Sequence, residues 1–393
     1  MLKIPFSKVT CSRNELKYLT EVLESGWLTT AGKALKFEEL FAQKVNAKYA
    51  CAVNSCTAAL HLGLEALGVG QGDKVFVPAM TFTATAEVVR YLGADPVILD
   101  VEYGTTLITP AILEKAIKDN PDVKYLIIVH YGGQAAEMIN KTGTGISDIC
   151  KKHNIKVMED AAHAFPAYIN GRIIGNIGDI TCFSFYANKT ITTGEGGMLT
   201  TENEDIFKRV KVMRLHGINR DVWDRFTSEK PSWEYDVIAP GYKYNMPDLN
   251  AAIGLAQLEQ ADDFKKERLR VAQYYNKHLA DFQWIDLPVC KTDFNEHAWH
   301  LYPIVLNEKS AVTRNIFIEK MSAAGIGTSV HYKPLYRMTY YKDTYNLNPK
   351  NFPVCEKIWN GNVSLPIFPE MTQEQLEYII KTISEIQINE YKK

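Results

Sequence analysis

The chain has 393 residues, 46% hydrophobic and 23% charged, with a formal net charge of −2. This is the balance of a globular protein with room for one large domain and a smaller one. It gives no electrostatic case for nucleic acid or an anionic membrane, and no apolar run approaches the ~20 residues of a membrane helix. The opening MLKIPFSKVTCSRNELKYL has neither the apolar core nor the small-residue cleavage site of a secretion signal, so a cytoplasmic protein is expected. The seven cysteines (Cys11, Cys51, Cys56, Cys150, Cys182, Cys290, Cys355) are odd in number, scattered and without a CxxC pair. They predict reduced thiols rather than a disulfide framework or a zinc site. No internal repeat or low-complexity tract is visible.

Residues 13–25 show helical spacing, with Leu16, Leu19 and Val22 at three-residue steps. The loop Ser25–Lys33 ends that pattern. It is not a phosphate-binding P-loop, because Gly26 to Gly32 is one residue too wide and Ala34 stands where Ser or Thr should bind magnesium. A helix is expected at 35–47 and a strand at Tyr49–Val53. Next, Asn54, Ser55, Cys56 and Thr57 open an apolar helix. Unpaired N–H groups at a helix N-terminus suit a phosphate dianion, and Ser55 and Thr57 add hydroxyls. The same residues also make an ordinary N-cap. Gly68, Gly70 and Gly72 follow a helix and precede the strand Lys74–Val77, the wrong order for a dinucleotide fingerprint. They read as a helix stop. Pro78 to Ala86 opens another helix, with Phe82 near its start.

Strand and helix then alternate. Pro96–Leu99 and Tyr125–Val129 read as buried strands, and Pro110–Lys118 and Gly145–His153 as the helices between them. A repeat of this kind predicts a mainly parallel sheet with helices on both faces. Such sheets bind ligands beyond the carboxyl ends of their strands. The run Ile155–Met158 ends in Glu159 and Asp160, with His163 one helical turn on. A second β-rich run, Asp179–Tyr186, contains Ser184 and ends just before a lone lysine, Lys189. Three threonines and the cluster Gly194, Gly196, Gly197 follow. A carboxylate at one strand end and a lysine after another is the minimum set for holding pyridoxal 5′-phosphate (PLP). The acid faces the protonated ring nitrogen and the amine forms the Schiff base.

The stretches Glu159-Asp160-Ala161-Ala162-His163 and Phe183-Ser184-Phe185-Tyr186-Ala187-Asn188-Lys189 resemble the DegT/DnrJ/EryC1/StrS family of PLP-dependent sugar aminotransferases. The resemblance runs nearly end to end. It implies the α/β architecture of PLP-dependent fold type I (aspartate aminotransferase-like). That is a mainly parallel seven-stranded sheet in a large domain, residues 1–260, and a smaller C-terminal α+β domain, residues 261–393. The N-terminal segment, to about residue 30, can pack with the smaller domain. The resemblance further implies Lys189 as the catalytic residue, Asp160 at the ring nitrogen and His163 at the phenolic oxygen. Phe82 would stack on the ring, and Ser55, Cys56, Thr57 and Ser184 would hold the phosphate. It places the Trp27–Thr29 loop near the substrate, although a turn with a packed Trp is an equal reading.

After a charged helix at 203–213, the Arg214–Asp221 loop, with Arg220 in it, could meet a diphosphate or simply face solvent. The second diagnostic block is Gly241–Gly254. In the family it reaches the neighbouring subunit's cofactor phosphate. Lys243 and Asn245 depart from the Asn and Arg that many members carry there, so Lys243 either makes that contact or faces the sugar nucleotide. Residues 264–280 form a basic amphipathic helix leading into the smaller domain. Strands are expected near 299–306 and 327–332, and helices near 310–323, 353–361 and 372–387. His331, Tyr332 and Lys333 resemble the family's substrate-side loop.

The expected activity is amino transfer from glutamate to a nucleotide-linked keto-sugar, a UDP- or dTDP-4-keto-6-deoxy sugar, for surface polysaccharide or lipopolysaccharide. A homodimer with shared active sites is expected, and no metal. Three rivals are weaker. Sugar dehydratases of this fold replace the lysine with histidine. A nicotinamide oxidoreductase lacks its glycine fingerprint here. A non-catalytic regulatory relative need not keep every catalytic residue.

Overall fold

The computed structural model describes residues 2–219 and 235–391. Seven short strands form the central sheet: β1 (Tyr49–Val53), β2 (Lys74–Pro78), β3 (Asp95–Leu99), β4 (Tyr125–Val129), β5 (Lys156–Asp160), β8 (Ile180–Ser184) and β9 (Gly197–Thr201), in the order β1-β9-β8-β5-β4-β2-β3. A two-stranded hairpin, β6 (Tyr168–Ile169) with β7 (Arg172–Ile173), lies between β5 and β8 in the chain. All neighbours in the large sheet pair in parallel except β9, which runs antiparallel to both β1 and β8. The strands read as near-continuous apolar runs because both sheet faces are covered.

Strand alternation divides their side chains between two cores. On one face Val75, Val77, Ile127, Met158 and Cys182 pack with helices α3 (Cys56–Ala66), α4 (Ala84–Tyr91) and α7 (Glu204–Met213). On the other, Phe76, Leu126, Ile128 and Val157 pack with α5 (Pro110–Asp119) and α6 (Ile146–Lys152). Further along that second face, Phe183 and Phe185 pack with α2 (Gly32–Val45) and α8 (Asp248–Leu258). Helix α1 (Glu15–Ser25) lies on α8. Local signals agree with these elements. Thr109 caps α5 through the Ile112 N–H with Pro110 in its first turn, and Asn203 caps α7 through the Asp205 and Ile206 N–H groups.

The long helix α9 (Ala261–Leu279) leads into the second core. There β10 (Ile285–Asp286), β11 (Tyr302–Leu306) and β12 (Asn362–Leu365) form an antiparallel sheet. It packs with α9, α10 (Arg314–Ala323) and α13 (Gln373–Tyr391). Two short helices, α11 (Thr339–Thr344) and α12 (Pro353–Gly361), complete the chain's order. Ile4 belongs to this second core and bridges Ile326. The expected strand at 327–332 does not form. Only Ser329 pairs, with Ser364. The chain then turns inward at His331, whose carbonyl accepts from the Tyr131 hydroxyl and the Asn362 amide.

Candidate active site

The residues that matter gather at the carboxyl edge of the sheet. Asp160 ends β5 and points to the same face as Met158. Glu159, one residue earlier, points the other way. There its carboxylate accepts from the Gly178 N–H (2.7 Å), the Thr181 hydroxyl (2.8 Å) and His130 Nε2 (3.0 Å). The Ala136 N–H donates to His130 Nδ1 at 3.0 Å, so the His130 proton sits on Nε2. Of the two acids the sequence presents side by side, Glu159 is thus fully engaged in holding the loop after β4. Asp160 is the one whose two oxygens each accept a single hydrogen bond.

Asp160 is buried and accepts from the Thr85 hydroxyl (2.8 Å) and the Ala162 N–H (3.2 Å), one at each oxygen. Burial pushes its carboxyl above the ordinary value, and Thr85, Ala162 and the nearby Lys189 amine oppose that push. Lys189 follows β8 in a turn closed by its own N–H to the Tyr186 carbonyl (2.9 Å). Its partly buried amine has no hydrogen-bond partner among the described residues. Burial lowers that amine to about 8; Cys56 and Asp160 pull it back up, and Arg268 adds to the lowering. The amine, the carboxylate and the mouth of α3 therefore share one electrostatic neighbourhood.

The mouth of α3 is shaped by glycine. A Cβ on Gly197 would lie 2.5 Å from the carbonyl carbon and oxygen of Ser55 and 2.6 Å from the Cys56 nitrogen. Only glycine lets β9 pass this close to the helix start. Ser55 caps α3 by accepting from the Ala58 N–H at 3.0 Å, which leaves its hydroxyl proton free to donate. The plain N-cap reading thus holds, and it is compatible with anion binding. Cys56 is buried, and burial followed by Asp160 raises its thiol well above the ordinary range. Thr57 is partly buried beside it. Ser184 is the last residue of β8, and its Oγ accepts from the Tyr186 N–H at 3.3 Å.

Phe82 is 58% exposed, so it is not a core residue; its ring centroid lies 6.0 Å from that of Tyr332. His163 is buried. The Gly132 N–H donates to its Nδ1 at 3.3 Å, which puts the ring proton on Nε2, 2.9 Å from the Tyr332 hydroxyl. Burial, then Lys189 and His331, hold His163 neutral. His331 bonds Ser364 Oγ through Nδ1 (2.8 Å) and is pushed down to about 4 by burial and then Lys189. Lys333 is exposed.

Two predicted residues stand apart. Trp27 lines a cavity of about 560 Å³ between α1, α2 and α8 that includes neither Asp160 nor Lys189. Thr29 is exposed in the same loop, which is tied to the Gly241–Gly254 block. Thr30 Oγ1 donates to the Met246 carbonyl (2.6 Å), and Asp248 accepts the N–H groups of Ala31, Lys33 and Ala34. Lys243 is exposed, donates to Asn245 Oδ1 through its amine, and lies where the Asn54 N–H donates to the Tyr244 carbonyl at 2.8 Å, next to the start of α3. Arg220 lies outside the described residues.

Sequence reasoning missed Thr85, His130, His300 and Arg268. The His300 ring centroid lies 4.5 Å from that of His163 at a tilted angle, and its buried Nδ1 has no hydrogen-bond partner among the described residues. Arg268 is buried and spends Nη1 on the carbonyls of Trp299, His300 and Ile367. Each reaches the site from a distant part of the chain, so no local pattern marks it.

These residues fit a phosphorylated pyridine aldehyde. There is an amine of lowered basicity with no hydrogen-bond partner among the described residues, and a buried carboxylate with a lone pair to spare on each oxygen. There is also a helix mouth with unpaired N–H groups that glycine keeps clear, and an exposed aromatic face. The strand order with this donor set at its carboxyl edge defines a PLP-dependent transferase of fold type I. Comparison with known proteins narrows the class. The model of the DegT/DnrJ/EryC1/StrS aminotransferase family matches residues 10–384, and the chain belongs to that family. The chain is 40% identical over 385 residues to the spore coat polysaccharide biosynthesis protein SpsC of Bacillus subtilis, covering 98% of this chain and 97% of that protein. A sugar aminotransferase of Streptococcus pneumoniae, Spr1654, described as putative and solved in its PMP form, superposes with a TM-score of 0.88 at 32% identity. The match covers 99% of this chain and 100% of that one. PseC of Helicobacter pylori, an aminotransferase of pseudoaminic acid biosynthesis, gives 0.90 at 26% identity, covering 99% and 100%. The protein is a sugar aminotransferase that uses PLP. No helix among the described residues is long and apolar enough to cross a membrane.

Proposed function

We propose that the chain transfers the amino group of glutamate to a nucleotide-linked keto-sugar, a UDP- or dTDP-4-keto-6-deoxy sugar, for a surface glycan. The observation that carries the chemistry is the Lys189 amine: partly buried, without a hydrogen-bond partner among the described residues, and lowered to about 8 by burial, with the Asp160 carboxylate acting on it. The sugar half is supported by the relatives, one of spore-coat polysaccharide and one of pseudoaminic acid biosynthesis.

When bound, PLP supplies an aldehyde carbon that accepts the amino group and a ring that absorbs the electron pair left at the donor's α-carbon. Lys189 would hold the cofactor covalently through its Nζ. Its Nζ, once free of that bond, would take the proton from the donor's α-carbon and deliver it to the cofactor carbon across the nitrogen, work that an amine near neutral basicity does well. Asp160 keeps the ring nitrogen protonated. The start of α3, with Ser55, Cys56 and Thr57, and the hydroxyl of Ser184 hold the phosphate, and Phe82 covers the ring. His163 Nε2–H serves the phenolic oxygen by exchanging its Tyr332 partner for it. His331, Tyr332 and Lys333 line the approach for the sugar nucleotide or the donor carboxylate. Lys243 and the Trp27–Thr29 loop serve a two-fold related copy, making a homodimer with shared sites. Seven unpaired cysteines support a cytoplasmic setting.

The test is a panel of UDP-, dTDP- and GDP-linked keto-sugars with glutamate, following release of 2-oxoglutarate. Turnover of a UDP- or dTDP-4-keto sugar with ping-pong kinetics is expected. Protein that carries cofactor and consumes glutamate yet aminates no nucleotide sugar overturns the substrate assignment.

A further inference from the structure

Asp160 is held by a chain of hydroxyls that the proposed chemistry has not yet used. Thr81 lies three residues before α4 and Thr85 in its first turn, and both are buried. Their hydroxyl oxygens lie 2.7 Å apart, and Thr85 Oγ1 lies 2.8 Å from Asp160 Oδ2. The carboxylate can only accept, so the Thr85 proton goes to Asp160 and Thr81 must donate to Thr85. The direction of both bonds is thereby fixed. A hydroxyl that already accepts a hydrogen bond is a better donor, so the pair acts with more force than Thr85 alone.

We propose that Thr81 and Thr85 are positioning residues, a two-step hydroxyl relay that fixes Asp160 as an ionised acceptor for the cofactor's ring nitrogen. The inference rests on the placement of that nitrogen against Asp160 proposed above. Oδ2 is oriented by Thr85 and Oδ1 by the Ala162 N–H, so the carboxylate plane cannot turn, and each oxygen keeps a lone pair for the ligand. Phe82 lies between the two threonines in the chain. One short segment therefore orients the acid and presents the stacking ring.

The test compares Thr85→Val, which keeps the shape and removes the donor, with Thr85→Ser, which keeps the donor. In the protein loaded with PLP, Thr85→Val should lower kcat by roughly tenfold to a hundredfold, the worth of one hydrogen bond to a charged group. KM for both substrates should change little. The visible absorbance of the bound cofactor should titrate differently with pH, because the ring nitrogen loses its proton more readily. In protein without cofactor, the ionisation of Asp160 should move to higher pH, read from stability against pH. Thr85→Ser should restore all three readouts, and Thr81→Val should give a smaller effect of the same sign. Thr85→Val with unaltered titrations in both forms overturns the relay, as does an equal defect in Thr85→Ser. Wild-type protein that acquires no visible absorbance with PLP overturns the cofactor placement instead, so the two failures are distinct.

Discussion

Gly197→Ala adds one methyl group where the structure leaves no room. Gly197 is not in the left-handed region, so alanine meets no backbone penalty there, and the whole effect is steric. The new Cβ would lie 2.5 Å from Ser55 backbone atoms, about 0.9 Å short of ordinary contact at 3.4 Å. Those atoms are backbone and cannot rotate away. β9 is locked between β1 and β8 by paired registers, so the start of α3 must yield. Overpacking of this size costs about 1–3 kcal/mol of stability. The functional consequence is more specific. A helix mouth displaced by most of an ångström loses one of its N–H hydrogen bonds to the phosphate, worth about 1.5–3 kcal/mol for a charged acceptor. Affinity for PLP should fall roughly tenfold to a hundredfold. The assay is titration of cofactor-free protein with PLP and, separately, with pyridoxal, which lacks the phosphate. Binding of pyridoxal should hardly change. Equal weakening of both ligands, or a lower melting temperature with unchanged PLP affinity, would refute the assignment of α3 as the phosphate site.

Other outcomes follow from the same geometry. The Lys189 amine is lowered from the ordinary lysine value near 10.5 to about 8, so the folded form releases its proton first. Cofactor uptake, which needs the neutral amine, should rise with pH through about 8; a midpoint near 10.5 would contradict the buried setting. By linkage, the unfolded chain binds more protons between about 8 and 10.5, so protein without cofactor should gain stability from Lys189 as pH rises through that window. Replacement by Met should remove that gain. Phe82→Ala should leave the melting temperature of cofactor-free protein nearly unchanged, because the ring is mostly exposed, yet weaken PLP binding by several-fold. A drop in stability without loss of affinity would return Phe82 to an ordinary packing role.

Much of this was legible in the sequence where chemistry and local pattern coincide. Asp160 is readable because it ends a short apolar run, and Lys189 because it follows a second one by a few turn residues. Period-2 alternation then separates Glu159 from Asp160 without any coordinates, although the partner of each cannot be read that way. Thr85 looks like any threonine in a helix, and its role exists only because α4 passes under the end of β5, 75 residues later. The partner of His163 is Tyr332, 169 residues away, and no spacing encodes that. The run at 327–332 alternates like a strand, but tertiary contacts at His331 override the pattern. β9 is hidden for the opposite reason: five residues, all buried, beginning at a glycine, carry almost no periodic signal. Gly197 is visible as a letter, but its reason, the backbone of Ser55, is not.

The most direct measurement is chemical. Purified protein loaded with PLP is reduced with borohydride, which fixes an imine as a stable amine, then digested and mapped by mass spectrometry. One phosphopyridoxyl group per chain is expected, carried by Lys189, and its loss together with the visible absorbance in Lys189→Ala. A label on another lysine, or a Lys189→Ala protein that keeps its absorbance and turnover, would contradict it.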